Sequence, residues 1–151
     1  MNDMSAIVIV EREITKAELD RMHAGFDEHA TEHGNPPHTP LRVGFVAIAG
    51  ETFVGCASGL INDNGRWFYL TDLFVEKPFR RQDLGTQLLH KLEAKVALLG
   101  VERIWTWTAG YEAPGFYRKQ GYEVFCEMEN YYPSGHSRIG LWKHLRRSES
   151  A

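Results

Sequence analysis

The sequence has little of several things that would settle a function quickly. Only two of its 151 residues are cysteine, and no Cys-x-x-Cys pair or Cys/His spacing suggests a zinc site. Cys56 and Cys126 both sit inside apolar, strand-like runs and read as buried free thiols in a reducing compartment. Positive charge is not in excess: 17 Lys and Arg face 20 Asp and Glu, a formal net charge of -3. That balance argues against a nucleic-acid partner, which needs a surface able to neutralise phosphates. No apolar run approaches the length of a membrane span, and the first residues lack the basic region and apolar stretch of a secretory signal. The expectation is a cytoplasmic protein with no membrane partner. Internal repeats and low-complexity tracts are missing too, as are a Walker A loop and the dinucleotide Gly-x-Gly-x-x-Gly.

What is present is an ordinary globular profile, 43% hydrophobic and 25% charged, of a length that fits one domain over 1–151. Ala6 to Val10 is a short β-branched run and reads as a first strand. Thr15 with Glu18 three residues on is a capping-box pattern, and Leu19, Met22 and Phe26 follow at helical spacing to about Ala30. Leu41 to Ala49 and Thr52 to Leu60 read as strands around Gly50-Glu51. Asn64-Gly65 reads as a type I′ hairpin turn leading into Arg66 to Val75. From Asp83 to Leu99 the period changes, with Leu84, Leu88, Leu92 and Val96 at every fourth residue and Gly100 after them, which predicts a helix. Arg103 to Thr108 is a strand, Pro114 to Gln120 a short helix, and Tyr122 to Met128 and Ser137 to Leu145 are closing strands. The order β-α-β-β-β-α-β-α-β-β gives an α/β (α+β) domain with a mixed, mostly antiparallel sheet flanked by helices.

The informative stretch runs from Leu70 to Leu89. A strand ends at Val75, a basic loop follows, and a long helix begins near Leu84. Backbone amides converging at a helix N-terminus meet a partial positive charge and unpaired N–H donors, an arrangement that binds phosphate groups. Arg80 and Arg81 add charge-assisted donors, and Gly85 lets the backbone come close to a ligand. A strand joined to a helix by a solvated basic turn is the bland reading of the same residues.

The run from Leu73 through Leu89 resembles motif A of the GNAT (GCN5-related) N-acetyltransferases, whose signature Arg/Gln-x-x-Gly-x-Gly/Ala maps onto Arg80, Asp83 and Gly85. Asp83 stands where the first glycine is usual; a carboxylate beside a diphosphate is unfavourable unless it turns away or caps the helix, and an N-cap role is open to it. A second run, Ala113-Pro114-Gly115-Phe116-Tyr117 through Gly121-Tyr122-Glu123, resembles the family's motif B, with Gly110 where Asn is frequent. The two motifs stand in the expected order and spacing, and the likeness covers about 41–145, as in small bacterial single-domain members.

That resemblance implies a transferase acting with acetyl-CoA as co-substrate and no metal. The two central strands are expected to splay, with the pantetheine arm between them paired to backbone of Leu73 and Val75, beside Phe74. The Leu73 amide is then the donor for the acetyl oxyanion. The diphosphate is expected on amides from Arg80 and Arg81 through Gln82, Asp83, Leu84, Gly85 and Thr86, with Gly110, Ala113, Phe116 and Tyr117 completing the coenzyme site. Tyr117 occupies the family's usual general-acid position, holding a proton for the departing thiolate. The acceptor, a small-molecule or peptide primary amine, must lose a proton before it attacks. Asp72, next to Leu73, is the first candidate base; His136, Glu112 and Glu123 are its rivals. Members are commonly homodimers, a state no feature of this sequence fixes. A non-catalytic acyl-CoA-binding module of the same fold is the alternative function, and a small interaction protein with an incidental basic loop is a third.

Three further features carry bland readings. His29 and His33 are four apart on the first helix but lack a third ligand, so they read as solvated. Trp105 and Trp107 share one strand face and suit a core or interface. Arg146 and Arg147 read as a solvated terminal cluster.

Overall fold

The computed structural model describes residues 5–62 and 64–145, and the chain divides into two units, Met1–His38 and Thr39–Ala151. Arg146 and Arg147 lie outside the described residues.

The first unit holds one helix, α1 (Lys16–Glu32). Its capping box forms as expected: the Glu18 amide donates to Thr15 Oγ1 at 3.2 Å and the Thr15 amide to Glu18 Oε2 at 2.8 Å. The Arg12 guanidinium and that Thr15 amide hold the Glu18 carboxyl down at about 2. Ala6 to Val10 is not a strand. Strand propensity needs a ladder to act through, and the described residues of this unit include no second strand.

The second unit is built on a six-stranded sheet in the order β1-β2-β3-β4-β6-β5. Its members are β1 (Leu41–Ala49), β2 (Thr52–Ile61), β3 (Trp67–Val75), β4 (Arg103–Ala109), β5 (Glu123–Met128) and β6 (Arg138–His144). All neighbours are antiparallel except β3 and β4. Gly50 makes the first turn at φ 64°. The second is longer than a two-residue type I′ hairpin: the Asn62 amide donates to Trp67 O at 3.1 Å and the Gly65 amide to Asn62 O at 2.8 Å. Helix α2 (Leu84–Leu98) and the short α3 (Pro114–Lys119) complete the unit.

The core lies between α2 and one sheet face. Leu88, Leu92 and Val96 of the every-fourth stripe, with Leu89 beside them, are buried against Phe68, Leu70, Ile104 and Leu141, while Leu84 is half-buried against the same core. Each fully buried side chain of this size stabilises the fold by about 1.5–3 kcal/mol. One charge enters that core: Glu93 of α2 accepts from Lys143 Nζ of β6 at 2.9 Å and from the Tyr122 hydroxyl at 3.2 Å. Paired in this way, it escapes most of the penalty of burial. Cys56 and Cys126 are free, as expected, but half-buried rather than buried; burial and then the Asp72 carboxylate push the Cys56 thiol up.

One irregularity in β3 sets up the functional region. Ser58 pairs with Asp72 and Gly59 with Leu70, so Thr71 is an extra residue, a β-bulge. Before it, Phe68 and Leu70 point into the core; after it the parity changes, and Leu73 and Val75 do so. Asp72 and Phe74 are left on the outer face. Gly59 is obligatory here, since a Cβ would stand 2.1 Å from Tyr69 O.

Candidate active site

Strands β3 and β4 pair only at Trp67–Arg103, Phe68–Ile104 and Tyr69–Trp105. Past that point no ladder joins them, and the Thr106 hydroxyl, donating to Leu70 O at 2.9 Å, marks the vertex where they part. The expected splay is therefore present. A cleft of about 750 Å³ opens beyond the vertex, between Thr71 to Val75 on one side and Thr106 to Thr108 on the other. The backbone edge of β3 that faces it is unsatisfied by the sheet. Because the Glu76 amide donates to Val54 O of β2 at 2.8 Å, alternation turns the N–H and C=O groups of Leu73 and Val75 the other way, towards the cleft. Arg80 uses this edge: its Nε donates to Val75 O at 3.0 Å.

The cleft continues into a second cavity of about 530 Å³ over the loop that joins β3 to α2, with Leu73, Val75, Arg80 and Ala113 lining both. Arg81, Asp83, Leu84, Gly85 and Thr86 form one wall and Phe116 part of another. Arg81 (φ 67°) and Asp83 (φ 63°) are both left-handed, on either side of Gln82. Such alternation of hand curls successive N–H groups into a concave, anion-binding nest. The first amides of α2 open onto the same space, since the first intrahelical bond comes from Gln87, to Asp83 O at 3.0 Å. Gly85 has no protein atom nearer its absent Cβ than Phe116 Cζ at 3.8 Å, so its missing side chain leaves room in the cavity.

Asp83 departs from the expected capping role. It is the N-cap residue, but its side chain makes no cap hydrogen bond. A capping side chain reaches the first-turn amides from an extended backbone, whereas Asp83 is left-handed, the conformation glycine adopts freely.

Tyr117 lies at the base of the cleft, 6% exposed. Phe116 and Tyr122 each meet its ring edge-on at 5.4 Å. Burial pushes its phenol up to about 12; the Thr106 hydroxyl pulls against this and the Glu112 carboxylate adds to it. The hydroxyl therefore stays protonated across the physiological range. Asp72 and Glu112 line the same cleft. Asp72 accepts from the Thr71 hydroxyl at 2.6 Å, with Arg42 Nη1 at 3.8 Å. Glu112 is held by Thr108 Oγ1 at 3.3 Å and the Ala109 amide at 3.4 Å.

Of the residues singled out in the sequence, Phe74 lines the cleft with Asp72, Glu112 and Tyr117. Gln82 and Gly110 line neither cavity. Gly110 is instead pressed against the last loop: its amide donates to Ser137 O at 2.8 Å, and a Cβ would stand 3.3 Å from that oxygen. His136 belongs to an adjoining hollow of about 470 Å³ shared with Tyr111. Glu123 is remote from the cleft, in a separate cavity beside Glu93 and Lys143. His29 and His33 meet edge to edge at 4.5 Å, and among the described residues no group of three His, Cys, Asp or Glu could hold a metal ion. Thr106, Thr108 and Trp107 were missed as cleft residues. Their only signal was strand alternation, which does not say that the neighbouring strand departs.

Compared with known proteins, residues 10–122 match the acetyltransferase (GNAT) family. No curated protein matches the chain by sequence. Among solved structures, an acetyltransferase from Bacillus cereus superposes with a TM-score of 0.79 at 23% identity, covering 91% of this chain and 98% of that one. An aminoglycoside 6'-N-acetyltransferase complexed with coenzyme A gives 0.62 at 23% identity over 80% of this chain and 79% of its own. The aminoglycoside 6'-N-acetyltransferase from Enterococcus faecium gives 0.62 at 21%, with the same coverage of 80% and 79%. At these identities the likeness is one of fold.

Proposed function

Because the chain belongs to the GNAT acetyltransferase family, we propose that it transfers the acetyl group of acetyl-CoA to a primary amine by direct attack in a ternary complex. The observation that carries this is the continuity of two features. A cleft made by splaying β3 from β4 runs into a cavity walled by the left-handed turn at Arg81 and Asp83 and by the N-terminus of α2. An extended ligand with a diphosphate at one end and an amide-bearing arm at the other suits both at once.

Acetyl-CoA supplies an activated acyl thioester when bound; the chain's residues do the rest. Amides of the turn and of Leu84 to Thr86 donate to phosphate oxygens, with Arg81 adding charge. The open edge of Leu73 and Val75 pairs with amide groups as an added strand would, and the Leu73 N–H serves as donor to the acyl oxygen. Tyr117, protonated and buried, gives its proton to the leaving sulfur. Asp72, on the outer face and lining the cleft beside Leu73, takes the proton from the amine.

The test is thiol release over a broad amine panel. Tyr117→Phe is expected to lower kcat by about 100-fold while calorimetry finds acetyl-CoA affinity nearly unchanged. A second reading is favoured by one observation, the uncapped Asp83 carboxylate beside the diphosphate cradle: a module that holds acyl-CoA without turnover. Tight acetyl-CoA binding with no thiol release from any amine would select it.

A further inference from the structure

On the outer sheet face, β4 presents Arg103, Trp105 and Trp107, and β6 alongside presents Arg138 and Trp142. Both arginines are held between rings. Arg103 lies 4.9 Å from the Trp67 centroid and 5.8 Å from Trp142, at the end where β3 and β4 are still paired. Arg138 sits at the other end, opposite Ala109, where the strands have parted. Its Cζ is 4.9 Å from the ring of Trp107, a cleft residue, and 5.3 Å from Tyr131, whose hydroxyl accepts from Nη1 at 3.1 Å.

Stacking satisfies the face of a guanidinium, and with Nη1 bonded to Tyr131 the Nε and Nη2 edge is the one that can grip a carboxylate with two parallel bonds. Among the described residues no carboxylate pairs with Arg138. Asp72, the outer-face carboxylate, stands on β3, two strands away across the gap that opens between β3 and β4. Beside the cleft, whose lining includes Asp72 and Trp107, the outer face thus carries an acid on β3 and, stacked on that indole, a guanidinium on β6 with no carboxylate partner among the described residues.

We infer that the acceptor is a primary amine that also carries a carboxylate a few bonds away, an amino acid or a molecule built like one, with Arg138 as its carboxylate anchor. This deepens the transfer reading above and rests on it. A polycationic acceptor would meet Arg138 at one bank and Arg42, itself 3.8 Å from Asp72, at the other. An amino acid presents one charge to each bank and lays its side chain on Trp107.

The experiment uses matched pairs, each amino acid against its own carboxamide, with thiol release at saturating acetyl-CoA. The protein is expected to prefer the carboxylate, and Arg138→Gln to raise its KM by about tenfold or more beyond any change for the carboxamide, as loss of a charge-assisted bidentate contact implies. Arg138→Lys, which keeps charge and stacking but loses the fork, is expected to fall between. Arg103→Gln removes the same kind of ring-held arginine from the paired end and is expected to leave the preference intact. Preference for the carboxamide, or an equal loss for both partners in Arg138→Gln, overturns the proposal. If no amine releases thiol, the transfer reading fails separately. Calorimetric binding of acid and amide to the CoA-saturated protein then decides: a carboxylate preference lost in Arg138→Gln supports the anchor, and equal binding sinks it.

Discussion

Asp83 combines a backbone that glycine adopts freely with a side chain that makes no cap hydrogen bond. A left-handed non-glycine residue costs about 1–2 kcal/mol, and this one is not compensated by a cap. Asp83→Gly is therefore expected to stabilise the protein and, by removing a negative charge from the diphosphate cradle, to lower the Kd for acetyl-CoA several-fold in calorimetry. Two positions on, the sign of the two effects differs. A methyl group at Gly85 meets only ordinary contacts and removes a helical glycine, a gain of about 0.5–1 kcal/mol. Gly85→Ala should keep or raise Tm while weakening coenzyme binding, because the methyl occupies the cavity; a variant that lost both would mean that the glycine is structural. That Leu73, Arg80, Gly85 and Tyr117 line the cleft or the cavity it runs into was legible only through the resemblance of two local runs to the family's motifs. Arg138 was not, since its place beside the cleft comes from β6 lying against β4, a pairing no local pattern encodes.

At the scale of elements, the outer face depends on small residues opposite large ones. A Cβ at Gly140 of β6 would stand 2.6 Å from Phe125 Cζ and 2.9 Å from Trp107 Cζ3. Gly140→Ala is expected to cost about 1–3 kcal/mol through overpacking and, by displacing Trp107, to raise the acceptor KM more than the acetyl-CoA KM; denaturant unfolding and steady-state kinetics check the two parts. Helix α2 was legible down to its stripe, because every-fourth leucines admit one amphipathic solution. The β-bulge at Thr71 was not, although it decides that Asp72 faces outward. It lies in the pairing of β3 with Ser58 and Gly59 of β2, a non-local contact. Ala6 to Val10 failed in the opposite way: its propensity is real, and the ladder that would use it is missing from the described residues of its unit.

For the molecule as a whole, two buried tyrosines tie chemistry to stability. Burial raises Tyr117 to about 12, and burial with the Glu93 carboxylate raises Tyr122 further. A raised phenol leaves stability intact below the unfolded value near 10 and lowers it as pH climbs from there towards 12, because the unfolded chain ionises first. Each group steepens the loss by about 1.4 kcal/mol per pH unit. Denaturant melts between pH 8 and 11 should show a decline that begins near 10 and is shallower in Tyr117→Phe. The same shift predicts a pH–rate profile in which kcat does not fall on the alkaline side before pH 10. The α/β architecture was legible because strand and helix periods alternate along 41–145. Its defining departure, a parallel central pair that separates midway, was expected through the family resemblance alone, because no local pattern in β3 or β4 encodes it.

That separation has a consequence for the protein at rest. Leu73 and Val75 belong to the middle of a sheet, yet their cleft-side N–H groups have no ladder partner, so their amide protons should exchange with solvent far sooner than those of Phe68 and Leu70. Any extended peptide able to enter the gap finds a ready template there. Occupancy of the gap therefore guards against misassembly, and purified protein stripped of ligand should be the more aggregation-prone form on storage.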